Sequence, residues 1–444
     1  MSKISTFAAI DIGSTKVVAI VGTKDEMGRL KVLGFGEAPS KGVVRGSVQN
    51  VGEVSSAIKL AVKRCQDFSG VIFKNVFVGI AGQNIRTTEA THSRVIKNQI
   101  ISKAEIDELT QEVYNLNKES GEEIIHVIPQ YYTVDNNSIG LNPVGCFGKK
   151  LGGYFYVVIG RANAVQKIRQ AIEMSGLKVV KIVLQSIASG DAVLTNDDKE
   201  VGTLVADIGG GTTDVAIYQD KVLRAISVIP FGGNAITNDI KSACQLLSRQ
   251  AETLKLQYAA ALPDASSAKT IVTVNGVGRS DKDISLADLA TITSARAEEI
   301  VAGIAFALQE SNYGDKISQI AITGGGSRLK SLTTLVKYCL GKEVEVMKPR
   351  DFSAETCPKL FNVEYSTAVG LLVKGIEYME SLYESRAVIN PEPVEPDGKE
   401  SDDTKKPDPK PDDNKPQKKN LGLLGWFNEK FKSFFTEDST TSKL

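Results

Sequence analysis

Two glycine turns of nearly the same sequence stand 196 residues apart, Asp11-Ile12-Gly13-Ser14-Thr15 and Asp207-Ile208-Gly209-Gly210-Gly211-Thr212-Thr213-Asp214. Each follows an apolar run that reads as a buried strand. Each leads into a second strand, Val17 to Gly22 or Val215 to Tyr218. A strand, an acidic tight turn and a return strand suit a triphosphate. Glycines let the backbone approach, turn N–H groups and hydroxyls donate to phosphate oxygens, and a carboxylate holds hydrated Mg²⁺. A single copy would more often be a plain hairpin. Two copies imply homologous halves that close on one nucleotide from opposite sides.

A third glycine run, Thr323-Gly324-Gly325-Gly326-Ser327-Arg328, follows the apolar strand Ile317 to Ile322 and is expected to open a helix over 328–340. Such a run lets a flat base and ribose lie against backbone. Upstream, Glu252 and Lys255 stand at i, i+3 on one helical face. In this chain order the four segments resemble the phosphate-1, phosphate-2, ribose-helix and adenosine motifs of the actin and heat-shock-chaperone ATPase superfamily. The resemblance spans most of residues 7–375. It implies an α/β, two-domain fold of duplicated ribonuclease-H-like halves, with ATP and Mg²⁺ in the central cleft. By motif match, Asp11 and Asp207 hold Mg²⁺ through water. Gly13, Ser14, Thr15, Lys16, Gly209, Gly210, Gly211, Thr212 and Thr213 surround the β- and γ-phosphates. Glu252 and Lys255 reach ribose and base, and Gly324, Gly325, Gly326 and Arg328 flank the adenosine. Gln185 falls in the register of the residue that positions the attacking water. An amide orients water without acting as a base, so at most slow ATP hydrolysis is expected.

The bulk composition narrows the remaining classes. Lys plus Arg and Asp plus Glu each number 53, and this zero net charge argues against nucleic acid as the main partner. Five scattered cysteines without C-x-x-C spacing favour a reducing cytoplasm. Only His92 and His126 exist, which makes a histidine metal site or a Ser/His/Asp triad hard to build, and His126 reads as structural. No run approaches the length of a membrane-spanning helix, and no cleaved signal is visible at the N-terminus.

Along the chain, the pattern predicts strands 7–12, 17–22 and 31–36, a helix near 51–68 and a strand from Asn75. A small α+β insertion follows over 86–160, with a capping box at Ser102 and Glu105. After helix 163–175, strand 178–184 and helix 186–195, the second half repeats the plan with strands 203–208, 214–219 and 222–229. It ends with helix 366–383. Residues 391–416 hold seven of the fourteen prolines and one large apolar residue, Val394, too little to offset ordering entropy, so 386–419 reads as a disordered linker. Hydrophobicity returns at 420–436. There Leu421, Leu423, Leu424, Phe427, Phe431, Phe434 and Phe435 share one helical face, with Trp426 at its edge. The segment is too short to span a bilayer but suits an interfacial helix.

The resemblance narrows further on Ser40 to Gly46, His126 to Tyr131, Leu141 to Gly145, Val228 to Asn234 and Tyr365 to Leu372. These segments look like the FtsA family of bacterial actin-like cell-division proteins. That likeness implies a cytoplasmic, peripheral protein of the inner membrane that binds ATP, polymerises and anchors the FtsZ ring at the division site. It further implies subdomains 1A (1–85 and 161–195), 1C (86–160), 2A (196–245 and 312–385) and 2B (246–311). Subdomain 2B would take the FtsZ C-terminal peptide, 1C would contact itself and later division proteins, and 420–436 would bind membrane lipid. The alternatives are a pilus-assembly-type adaptor of the same fold and a small-molecule kinase.

Overall fold

A computed structural model describes residues 6–82, 85–116, 119–263, 270–275 and 281–389, with side chains as far as residue 382. The proline-rich segment from 391 and the amphipathic stretch 420–436 lie outside the described residues.

The first half opens with β1 (Phe7–Ile12), β2 (Lys16–Lys24) and β3 (Leu30–Pro39), then the short ribbon β4 (Val43–Val44) and β5 (Ser47–Val48), α1 (Val51–Ser69) and β6 (Asn75–Ile80). Helix α1 starts where the Asn50 side chain accepts from the Glu53 N–H and stops at left-handed Gly70. Next comes the insertion: β7 (Ile85–Val95), α2 (Lys103–Tyr114), β8 (Glu122–Val134), β9 (Asn137–Gly140) and β10 (Lys150–Arg161). Its strands form a separate antiparallel sheet in the order β7-β10-β8-β9. Helix α2 carries the expected Ser102/Glu105 capping box and lays Leu109 and Val113 on a core of Leu151, Phe155 and Val157. The chain then returns through α3 (Ala162–Met174), β11 (Lys178–Leu184), α4 (Gln185–Val193) and α5 (Asn196–Val201).

The second half comprises β12 (Thr203–Ile208), β13 (Thr213–Gln219), β14 (Val222–Ile229), α6 (Gly233–Ala243), α7 (Ser248–Tyr258), the ribbon β15 (Ile271–Val274) and β16 (Lys282–Ser285), α8 (Leu286–Glu310), β17 (Gln319–Thr323), α9 (Leu332–Leu340), β18 (Glu343–Val346), β19 (Phe352–Ser353) and α10 (Ser366–Ile389). Two sheets tell the history of the chain. The first runs β11-β6-β1-β2-β3 and ends on β19; the second runs β14-β13-β12-β17-β18. In each, three antiparallel strands join two parallel ones beside the hairpin strand. The duplication inferred from two turns is therefore a duplication of whole sheets.

Two boundaries differ from expectation. The helix expected over 328–340 begins only at Leu332: Gly325–Arg328 form a 3₁₀ turn, and Ser331 sits in a left-handed conformation that no helix interior permits. The last helix, expected to end at 383, runs on to Ile389.

Helices α4 and α10 cross in van der Waals contact between the two sheets. A Cβ at Gly370 would come within 1.7 Å of the Ala188 carbonyl oxygen, so only glycine allows the approach. Gly370→Ala should lower the unfolding free energy by about 2 kcal/mol or more, against the usual gain for Gly→Ala in a helix. Gly314, whose added Cβ would meet nothing nearer than 3.9 Å, provides the control: Gly314→Ala should stay within about 0.5 kcal/mol of wild type in urea unfolding.

Candidate functional site

The two glycine turns superpose in their bonding. The Gly13 N–H donates to the Lys16 carbonyl at 3.0 Å and the Gly209 N–H to that of Thr212 at 2.9 Å. Asp11 pairs across its hairpin with Val18, and Asp207 across its own with Asp214. At the position matched by Val18 and Asp214, a valine in the first half is thus a carboxylate in the second. The turns also face each other closely. An added Cβ at Gly210 would lie 2.0 Å from the Thr15 hydroxyl, and one at Gly211 2.4 Å from that of Ser14.

Three carboxylates are buried around these turns: Asp11, Asp207 and Asp214 are 8%, 8% and 6% exposed. Burial first, and then the Asp207 charge, raise the Asp11 and Asp214 carboxyls from 3.8 to about 7. Asp207 is itself raised by burial, with hydroxyl donors opposing the shift. Those donors are Ser189 in a short bond and Thr367 at 2.9 Å. The Gln185 amide donates to Asp11 at 2.7 Å, and the Thr212 hydroxyl to Asp214 at 2.9 Å. One Asp214 oxygen is buried with no partner. Uncompensated hard oxygens of this kind fit a hydrated divalent cation. Among the described residues, no group of three His, Cys, Asp or Glu side chains makes a metal cage on its own.

The remaining motif residues gather around the second turn. Gly324, at φ +80°, passes so close that a Cβ there would meet an Asp207 oxygen at 2.2 Å, while one at Gly325 would meet only the Glu364 side chain, at 3.9 Å, and Gly326 packs on Ile208. Glu252 and Lys255 bond each other at 2.8 Å, and Lys255 also donates to the Gly233 carbonyl at 3.1 Å. Gly233 in turn donates to the Gly209 carbonyl, tying this pair to the phosphate-2 turn. Two cations stand aside. Lys16 lies over the Tyr365 ring, 3.4 Å from its centroid, near Glu37, and the Arg328 side chain is 70% exposed beside Glu364.

The geometry adds residues that motif spacing did not single out. Asp214 lies inside the phosphate-2 motif, where spacing alone gives it no role; its place across the tight hairpin from Asp207 is the sequence signal for one. Ser189 and Thr367 come from α4 and α10, and nothing local marks them. Arg45 lines a cavity of about 430 Å³ with Ser14, Gly210, Gly211 and Arg296. Among the described residues it has no ion-pair partner. The neighbouring Gly46 N–H donates to the Ser14 hydroxyl at 3.1 Å.

A family model for cell division protein FtsA matches residues 204–370, and one for the SHS2 domain inserted in FtsA matches residues 82–159. Cell division protein FtsA of Pseudomonas aeruginosa is 34% identical over 370 residues, covering 83% of this chain and 88% of its own. The chain belongs to the FtsA family. Its counterpart in Neisseria meningitidis is 33% identical over 368 residues, covering 82% and 89%, and that of Escherichia coli K12 is 28% identical over 377, covering 83% and 90%. Among solved structures, the PilM-PilN type IV pilus biogenesis complex aligns with a TM-score of 0.62 at 15% identity, covering 83% of this chain and 98% of that one. MreB5 of Spiroplasma citri bound to AMPPNP aligns at 0.51 and 12%, covering 87% and 99%. These likenesses show an actin-like fold. The SHS2 match of the FtsA family coincides with the four-stranded insertion, and the larger match spans the second turn and the Gly324 run.

The clustered charges carry a stability signature. Because the unfolded chain releases these protons near 3.8 and the fold only near 7, stability without nucleotide should fall as pH rises between those values. Asp214→Asn should then raise the melting temperature of the nucleotide-free protein at pH 8, and raise it by less than half as much at pH 5, where only the first part of that loss has accrued. Calorimetry at the two pH values checks this, and an unchanged or lower melting temperature at pH 8 would contradict it.

Proposed function

We propose that this FtsA-family chain binds ATP and Mg²⁺ between its halves, assembles into an actin-like filament, and ties the FtsZ ring to the cytoplasmic face of the inner membrane. The observation that carries the nucleotide reading is the convergence of Asp11 and Asp207, from two matched hairpins, on one buried place. Membership in a family of cell division proteins supports the cellular role. Asp11 and Asp207 would hold Mg²⁺ through water, with Asp214 adding negative charge. The ion would neutralise phosphate oxygens there. Turn N–H groups and the hydroxyls of Ser14 and Thr15 donate to the phosphates, while Thr212 and Thr213, whose hydroxyls donate to Asp214 and to the Phe231 carbonyl, shape the second turn. Arg45, lining the adjoining cavity, supplies positive charge there, whereas Arg296 beside it is already paired with Asp239 and Glu299. Glu252 and Lys255 take the ribose and base, with Gly324 to Gly326 against the adenosine.

Gln185 bonds Asp11 directly, so its amide sits where it can orient a water beside the cation ligands without removing a proton. ATP then acts mainly as a conformational ligand that favours a closed, polymerising arrangement. Gln185→Ala should leave the ATP dissociation constant within about threefold while lowering hydrolysis, because only a transition-state contact is lost. Filter-binding and single-turnover assays separate the two. A collapse of ATP affinity would sink the assignment.

Residues 420–436 would supply the membrane end, 246–311 the surface for the FtsZ C-terminal peptide, and 86–160 the contacts with itself and later division proteins. No helix among the described residues is long and apolar enough to cross a membrane. Each buried Leu or Phe of the tail contributes about 1.5–3 kcal/mol, and ordering costs about 1–2 kcal/mol per residue. A single tail therefore holds the membrane reversibly, and a filament presenting many tails converts weak sites into avidity. Vesicle co-sedimentation of FtsZ with this protein and ATP, with and without residues 420–444, tests the reading. FtsZ should pellet only with the full-length chain. If the intact protein pellets and FtsZ stays in solution, the ring is not its partner. If neither pellets, the tail binds protein, and the kinase and pilus-type adaptor readings return.

A further inference from the structure

A second cavity, about 480 Å³, lies away from the glycine turns, where all three large sheets meet. Its walls come from β8 of the insertion, from β11, α4 and α10 of the first half, and from β13 and β14 of the second. Four lysines face it, Lys181, Lys199, Lys221 and Lys374, against two carboxylates, Asp191 and Glu377. The carboxylates are already committed. Asp191 binds Lys199 at 2.5 Å and Lys374 at 2.7 Å, and Glu377 binds Lys374 at 2.8 Å. Lys221 pairs with Glu200 on the surface. Lys181 is left over. Among the described residues its recorded contact is the Tyr378 ring, 4.2 Å from the ammonium, with no carboxylate. Burial and the nearby Lys374 charge pull its ammonium down to about 8.

A second, independent feature sits on the same wall. Tyr218 is 4% exposed, lines the cavity, and its hydroxyl has no hydrogen-bond partner. A buried donor left unmade costs stability and is satisfied best by an acceptor that enters from outside. His126 contributes no charge, since burial and the lysines hold its imidazole neutral, down to about 3, and its Nε2 accepts the Leu184 N–H. Opposite the cations the wall is apolar, with Ile128, Pro129, Leu141 and Leu223.

We propose that this cavity is an anion site for a small phosphate monoester carried on an apolar body, with Lys181 and the Tyr218 hydroxyl as its donors. Asp191, Glu377 and Glu200 together match three of the four lysines, which leaves one positive charge, at Lys181, for the anionic phosphate. The volume lies in the range of small-molecule sites. A ligand there touches the insertion and both halves at once. It also touches α4 through Ile187 and Asp191, the helix whose Gln185 and Ser189 hold Asp11 and Asp207.

Phenyl phosphate is the probe, titrated calorimetrically into the full-length protein with ADP and Mg²⁺ saturating. One equivalent should bind, and benzyl alcohol, which lacks the charge, should not. Lys181→Met should weaken binding about tenfold or more, the loss of a charge-assisted hydrogen bond. Tyr218→Phe, which removes only an unpartnered hydroxyl and so leaves the fold intact, should weaken it about threefold or more. Competition by nucleotide would move the binding to the ATP cleft and overturn the proposal. So would wild-type affinity in both variants, or no heat at millimolar ligand.

Discussion

The structure is organised around a repulsion. Asp11, Asp207 and Asp214 are held near one another with almost no access to water, burial raises all three carboxyls, and the Asp207 charge adds to the shift of the other two. A fold selected for stability alone would not keep three carboxylates in this state, because apolar residues of similar size would do better. The surrounding chain reduces the cost without removing it. Hydroxyls from Ser189, Thr367 and Thr212 and the Gln185 amide supply neutral donors, while lysines stay at the periphery. Neutral donors orient the oxygens and leave the negative charge available. A cationic partner built from the chain would have quenched that charge.

Much of this was legible in the sequence because the informative signals were local. A strand, a glycine turn and a return strand are contiguous, and their repetition announced two matched sheets. The capping box at Ser102 and Glu105 and the i, i+3 pair Glu252 and Lys255 are likewise short-range. What was not legible is what distant elements bring. Ser189 and Thr367 reach Asp207 from helices joined to it by no pattern of spacing. The start of α9 moved from Arg328 to Leu332 because Gly324 to Gly326 must pass against Asp207 and Ile208, a tertiary demand that overrides helix propensity. The lone Lys181 and the unpartnered Tyr218 hydroxyl are visible only once three sheets are assembled.

The two halves are duplicates in topology and unequal in chemistry. Their hairpins share strand order, turn length and the bond closing the turn. Yet the cross-strand partner of Asp11 is Val18, and that of Asp207 is Asp214. The second half also carries the Glu252 and Lys255 pair and the Gly324 run. Buried negative charge is thereby concentrated on the second half, and the first contributes a single carboxylate. Such an asymmetry lets one half hold a ligand while the other closes on it.

Helix α4 is the element that must register any such closure. Its first residue, Gln185, bonds a carboxylate of the first half, and Ser189, one turn on, bonds a carboxylate of the second. The two contacts lie on a rigid rod whose rise fixes their separation. A change in the distance between Asp11 and Asp207 therefore cannot be absorbed within α4 and must break one bond or move the helix. Movement is resisted by α10, whose Gly370 abuts the Ala188 carbonyl with no room for a methyl group. Packed interfaces of this kind respond in discrete steps, because interiors at crystal-like density do not deform continuously. A ligand that ties Asp11 to Asp207 through one cation shifts the balance by its differential affinity for the two arrangements alone. Both bonds to α4 are short and buried, so that difference is set at the carboxylates themselves, where the folded chain stores its largest uncompensated charge.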